Sequence, residues 1–239
     1  WGSGAARALG VKVYDYGIYL HWPSAARGLR RGDAALPGGE NNAALLDAVV
    51  RGPAAADMSL VMVTARRLPL ETVGREVGGL LQRRLRKVGG SPQDPALGEM
   101  LEGIACSKDT LPPECLAGDG LLQKKSRVTF ARRGRRLRTS IAAAGGEAIV
   151  VSDVHSPDVC AAFFDTYLGS EPVHAGARQQ AAAAVGELLL RGHPAGGVAG
   201  GGRKAVADRV AGLQRLALAL VGMRGGRRSG AGAARTQVK

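Results

Sequence analysis

The sequence predicts an α+β fold, an antiparallel sheet with helices packed on it. Residues 10–20, GVKVYDYGIYL, alternate with the period of a β-strand and are rich in β-branched and aromatic residues. Three strand-like pieces, Lys125–Ala131, Leu137–Ala142 and Ala148–Ser152, follow one another across short glycine-containing turns, as in a meander. Helical spacings come in groups rather than one between each pair of strands, which argues against a parallel sheet.

Taken in order, Trp1–Ala8 leads into the alternating stretch and fits the first half of a hairpin. In that stretch Val11, Val13, Asp15, Gly17 and Tyr19 point one way, and Lys12, Tyr14, Tyr16, Ile18 and Leu20 the other. Pro23 follows its end, Ser24–Leu29 is a short connection, and Gly32–Asn42 is a loop by composition. Asn42–Val50 reads as a helix with Leu45, Leu46, Val49 and Val50 on one stripe. Met58–Ala65 is a nearly continuous apolar run, the mark of a central strand.

Leu70–Val88 has apolar residues at spacings of three and four, Pro69 before it and basic residues in its last turns, so a helix is predicted there. Asp94 caps a second helix over Asp94–Ala105, with Pro95 at its first position. After the three-strand run, with its arginine cluster Arg132, Arg133, Arg135, Arg136 and Arg138 read mostly as a solvated hairpin tip, Ser156 and Pro157 start another helix. Gly169 closes that helix as the residue after its last turn. Ala175–Leu190 is an alanine-rich helix.

The domain is expected to span residues 1–190, with residues 191–239 a basic Gly/Ala/Arg-rich tail, helical in spacing at 205–221 and otherwise disordered. The net charge of +13 is concentrated there: residues 191–239 hold ten Lys/Arg and one acid, residues 1–190 hold 23 and 19. The high basicity therefore describes the tail, and no specific nucleic-acid partner is expected. The chain begins at Trp1 and not at Met, so an upstream segment is expected to be missing. No apolar run approaches the ~20 residues that span a bilayer.

Visible chemistry is sparse. Cys106, Cys115 and Cys160 have neither metal spacing nor an even count, and His21, His155, His174 and His193 stand apart, so no metal or cofactor is expected. No P-loop, nucleophile elbow or dinucleotide glycine pattern is present. Ser152, Asp153 and His155 make a catalytic triad only on paper, because neighbouring strand residues alternate faces. With aromatics at 4% of the chain, three of its four tyrosines on one strand suggest a phenol-lined pocket wall.

Two segments add a family resemblance. GVKVYDYGIYL, and far downstream Ala162–Val173, AFFDTYLGSEPV, resemble the two ends of the chalcone isomerase family, and the segments between them fall in the family's order. The resemblance covers about residues 1–190. It implies an open-faced β-sandwich, in which a large antiparallel sheet carries a layer of helices and a cleft between them holds a ligand. The family includes true isomerases, noncatalytic relatives and plastid fatty-acid-binding proteins. The enzymes use an arginine, a strand threonine, a tyrosine, an asparagine and a helix Ser/Thr.

Carried onto this chain, the arginine matches Arg7, the strand threonine is replaced by Tyr14, and the helix Ser/Thr matches Thr166. The tyrosine and asparagine fall near Arg75 and Gln82 and are not retained; His174 stands where a serine is usual. Tyr16 and Tyr19 are read as structural, and Phe163 and Tyr167 as core. The resemblance then implies a noncatalytic protein holding a fatty acid or similar amphipathic carboxylate through Arg7, Tyr14 and Thr166, monomeric and in the plastid stroma. The alternative is a divergent chalcone isomerase using the same three residues on a flavonoid-like substrate. A third reading is a basic-tailed interaction protein whose cleft is incidental.

Overall fold

The alternation near the N-terminus becomes two paired strands in the computed structural model of the chain, which describes residues 2–8, 11–21, 23–25, 39–51 and 55–190. All of these belong to one compact unit, Trp1–His193. The expectations for the tail, residues 191–239, lie outside the described residues. Strands β1 (Gly2–Ala8), β2 (Val11–Leu20), β3 (Met58–Thr64), β4 (Arg127–Arg133), β5 (Arg136–Ala142) and β6 (Ile149–His155) form one sheet in sequence order. Every neighbouring pair is antiparallel.

Among the described residues, five longer helices accompany it: α1 (Gly39–Arg51), α2 (Leu70–Val88), α3 (Pro95–Cys106), α4 (Pro157–Leu168) and α5 (Ala175–Leu190). The helix spacings read from the sequence recur closely, and two caps behave as expected. Asp94 accepts from Ala96 N at 2.9 Å and Ser156 from Val159 N at 3.1 Å. The first helix starts at Gly39, inside the stretch read as loop, because its polar first turn carries no apolar spacing to signal it.

The sheet alternates as its period requires. Tyr16, Ile18, Leu60, Met62, Phe130 and Ile141 are buried in the helix-covered core, while Val13, Asp15, Gly17, Ser59, Val61 and Thr129 are only partly covered on the opposite face. Helix α3 lies so close to β6 that a Cβ on Gly103 would run into the Val151 carbonyl oxygen.

One residue departs from its sequence reading. Arg132 is not at the hairpin tip. It is 2% exposed, one of the largest fully buried side chains, whereas Arg133, Arg135, Arg136 and Arg138 are exposed. Its parity explains this: in β4 it shares a face with Val128 and Phe130, which point into the core. The guanidinium meets carbonyls that nothing in the local sequence announces, those of Val49, Val50 and Ala56.

Candidate functional site

Strand β2 turns Tyr14 and Tyr16 toward the helices, two residues apart on one face, with ring centroids at 6.5 Å. Helix α4 brings Tyr167 against them, 5.2 Å from the Tyr16 ring, on the same stripe as Phe163. Beyond α4 the chain turns back, and His174 stacks on Tyr16 at 5.5 Å with an interplanar angle of 27°. That turn is held in place from both sides. Val173 N donates to Thr166 O at 2.9 Å, and from α2 Arg84 and Lys87 bond the Glu171 carbonyl and carboxylate respectively.

Three phenols and an imidazole therefore meet between β2, α4 and the following turn. The Tyr14 and Tyr167 hydroxyls are hydrogen-bonded to each other. Tyr16 is 4% exposed, and its hydroxyl has no hydrogen-bond partner among the described residues. A buried hydroxyl left so costs on the order of 1–3 kcal/mol.

Burial pushes all three phenols above their ordinary pKa; for Tyr14 the Glu76 carboxylate on α2 adds to it. At neutral pH they are protonated. They can donate to an oxyanion, and none is poised as a base.

The sequence-predicted residues fall as follows. Tyr14 is half-buried and belongs to the cluster. Thr166 is 3% exposed, but its hydroxyl donates to Ala162 O at 2.8 Å, within its own helix. Arg7 pairs with Lys12 just past an irregularity in the β1–β2 register, while Ala6 pairs with Tyr14. Arg75 and Gln82 are exposed on α2.

Tyr16 and Tyr167 lie in the core, as read from the sequence, and they also border Tyr14 together with His174, to which that reading gave no role. Tyr16 shares the parity of Tyr14, and Tyr167 lies four residues after Phe163 on the inward stripe, so both signals were present. Among the described residues no group of three or more His, Cys, Asp or Glu side chains is arranged to hold a metal ion.

Below the phenols, Asp165 ties three helices together. It is 1% exposed, with Arg84 Nη1 3.0 Å from one carboxylate oxygen and Arg51 Nη2 2.7 Å from the other. The Arg51 contact is an ion pair whose geometry is off-line for a hydrogen bond.

Among solved structures, the chain is similar to the crystal structure of an Arabidopsis thaliana fatty-acid binding protein, AtFAP1. The TM-score is 0.60 at 23% sequence identity, covering 79% of this chain and 88% of that one. The fold is the open-faced sandwich of the chalcone isomerase type. At that identity the likeness concerns fold alone. No protein-family model and no curated protein sequence matches the chain. Among the described residues no helix is long and apolar enough to cross a membrane.

Proposed function

We propose that this protein binds a fatty acid or similar amphipathic carboxylate without transforming it, the carboxylate lying against the phenols of Tyr14 and Tyr16. The observation that carries the reading is the Tyr16 hydroxyl, buried and unpartnered beside the Tyr14–Tyr167 pair. A carboxylate accepts from up to four directions, and hydrogen bonds to it are charge-assisted. Arg7 supplies the counter-charge in this reading, one register step from the partner of Tyr14. Thr166 acts through its carbonyl, which holds the turn that carries His174 onto Tyr16.

The acyl chain would run along β3, where Met62 pairs with Tyr16 and Met58 with Leu20, facing the helices. Methionine repacks readily around an inserted chain, and each methylene buried contributes about 0.8 kcal/mol. The likeness to a fatty-acid binding protein supports the same ligand class. Residues 1–190 carry the whole function here. The chain acts as a monomer in the plastid stroma, as the family resemblance implies.

Neutral phenols favour holding a carboxylate over activating a nucleophile. Laurate added to the full chain should bind saturably by calorimetry and be seen by native mass spectrometry. Tyr14→Phe and Arg7→Ala should each weaken it by about 1.5–3 kcal/mol. Absence of laurate binding, or saturable turnover of a chalcone at an enzyme-like rate, would overturn the proposal.

A further inference from the structure

The Tyr14 end of the sheet carries a cluster of cations that the phenol site does not use. Beyond β3 the chain runs antiparallel to the segment that enters β4. Thr64 N donates to Ser126 O at 3.0 Å, Lys125 N to Thr64 O at 2.9 Å, and Leu68 and Leu122 exchange both backbone bonds. This pairing sets Arg66 and Arg67 alongside Lys124 and Lys125. All four are exposed, and none has an ion-pair partner among the described residues. The acids close by in the chain or its pairing include Glu71 in the first turn of α2, Asp119, whose carboxylate accepts from Leu121 N at 3.3 Å, and Glu114, next to the Cys115 carbonyl that accepts from Gln123 N at 3.0 Å.

Two further facts mark this rim. Lys125 has φ 70°, the only described non-glycine residue with positive φ, a conformation that glycine holds at lower cost. Leu121, on the adjoining turn, is partly buried and outside the core cluster. The rim is also joined to the site. Tyr14 pairs with Thr64, and the Thr64 hydroxyl donates to the Gln123 carbonyl at 2.7 Å, next to Lys124.

We propose that this rim docks on an anionic membrane surface, from which the amphiphile reaches the Tyr14 site. Cations with no acid of their own fit a surface of anionic headgroups. The leucine, partly exposed, favours a bilayer over an acidic protein, because an apolar group beside a basic cluster gains by entering the headgroup boundary. The delivery half of the inference rests on the proposed carboxylate binding; the docking half does not.

The test uses the full chain with vesicles of phosphatidylcholine, alone or mixed with phosphatidylglycerol, read by flotation. Binding should need phosphatidylglycerol and fall as salt is added. Each cation near the surface contributes about a fivefold factor, so Lys125→Gly should lower partitioning roughly fivefold, and replacing all four cations with alanine more than a hundredfold. Lys125→Gly should melt no lower than the parent, which separates lost charge from lost fold.

Equal partitioning of the fourfold variant and the parent would assign any binding to the basic residues 191–239 and overturn the inference. Indifference to phosphatidylglycerol would overturn it too, leaving an acidic protein as the occupant. Laurate affinity without vesicles should be unchanged in the fourfold variant. Failure of the parent to bind laurate, with rim-dependent flotation intact, would sink carboxylate binding and leave docking standing.

Discussion

Arg132 donates through Nη1 to the Val50 carbonyl at 2.7 Å, deep in the core. The last carbonyls of a helix have no partner within it. Here a guanidinium from β4 satisfies the Val50 carbonyl and shares that of Val49 with Ala56 N: Nη2 reaches Val49 O at 2.9 Å, Nε reaches Ala56 O, beyond the helix, at 2.8 Å, and the charge lies 5.2 Å above the Phe164 ring. Burial lowers the pKa to about 10, so the group stays charged at neutral pH. Arg132→Met should destabilise the fold by about 2–6 kcal/mol in urea unfolding, because the Val50 and Ala56 carbonyls lose their guanidinium donors, while Val49 O keeps Ala56 N. Arg132→Lys should recover little of that loss, since a single ammonium cannot reproduce the fork. A fully stable lysine variant would show that charge alone suffices.

That arginine marks a limit of sequence reading. Strand period placed Tyr14 and Tyr16 on one face, and cap residues located the starts of α3 and α4 closely, because those signals are local. Arg132 had the same strand signal as Phe130, but its charge suggested solvent. What buries it is a set of carbonyls about 80 residues earlier in the chain, which no local pattern reports. The phenol site divides in the same way. Tyr14 was legible from its family position, whereas Tyr167 and His174 join it only through the packing of α4 and its turn on β2.

The phenols predict the alkaline limb of the stability curve. Tyr14, Tyr16 and Tyr167 all have folded pKa values above that of the unfolded chain. Their neutral forms contribute stability that is fully present below about pH 10, the unfolded value. It is lost as pH rises through the folded values, because the unfolded state releases protons the folded state keeps. Phenolate absorbance should therefore lag in the native chain and appear together with loss of near-ultraviolet dichroism. Reversible ionisation of Tyr14, Tyr16 and Tyr167 near pH 10 in the folded protein would contradict the burial assigned to this cluster.

Gly169 is required by a neighbour and not by its backbone. Its φ of −67° and ψ of −175° suit any residue, so the left-handed cap that a glycine after a helix suggests is not what it supplies here. A Cβ there would overlap both the Asp165 carboxylate, which Arg84 and Arg51 hold, and the Asp165 backbone carbonyl oxygen. Gly169→Ala should cost about 1–3 kcal/mol by overpacking. Part of the loss should disappear in an Asp165→Asn background, where the ion pairs are already weakened; a double-mutant cycle measures that coupling. Full additivity would place the strain elsewhere.

Tyr16→Phe separates a binding role from a structural one. The ring contributes packing against Tyr167 and His174, and phenylalanine keeps it. The hydroxyl contributes no hydrogen bond within the described protein and is buried at a cost. Removing it should leave the ligand-free protein as stable or raise its stability by about 1–3 kcal/mol. A hydroxyl that donates to a bound carboxylate predicts the opposite for the complex, with laurate affinity falling by about 1.5–3 kcal/mol. The two effects have opposite signs, so one variant assayed by thermal melting with and without laurate decides between them. A hydroxyl satisfied inside the protein would destabilise both forms equally when lost, and the melting shift produced by laurate would then match that of the parent.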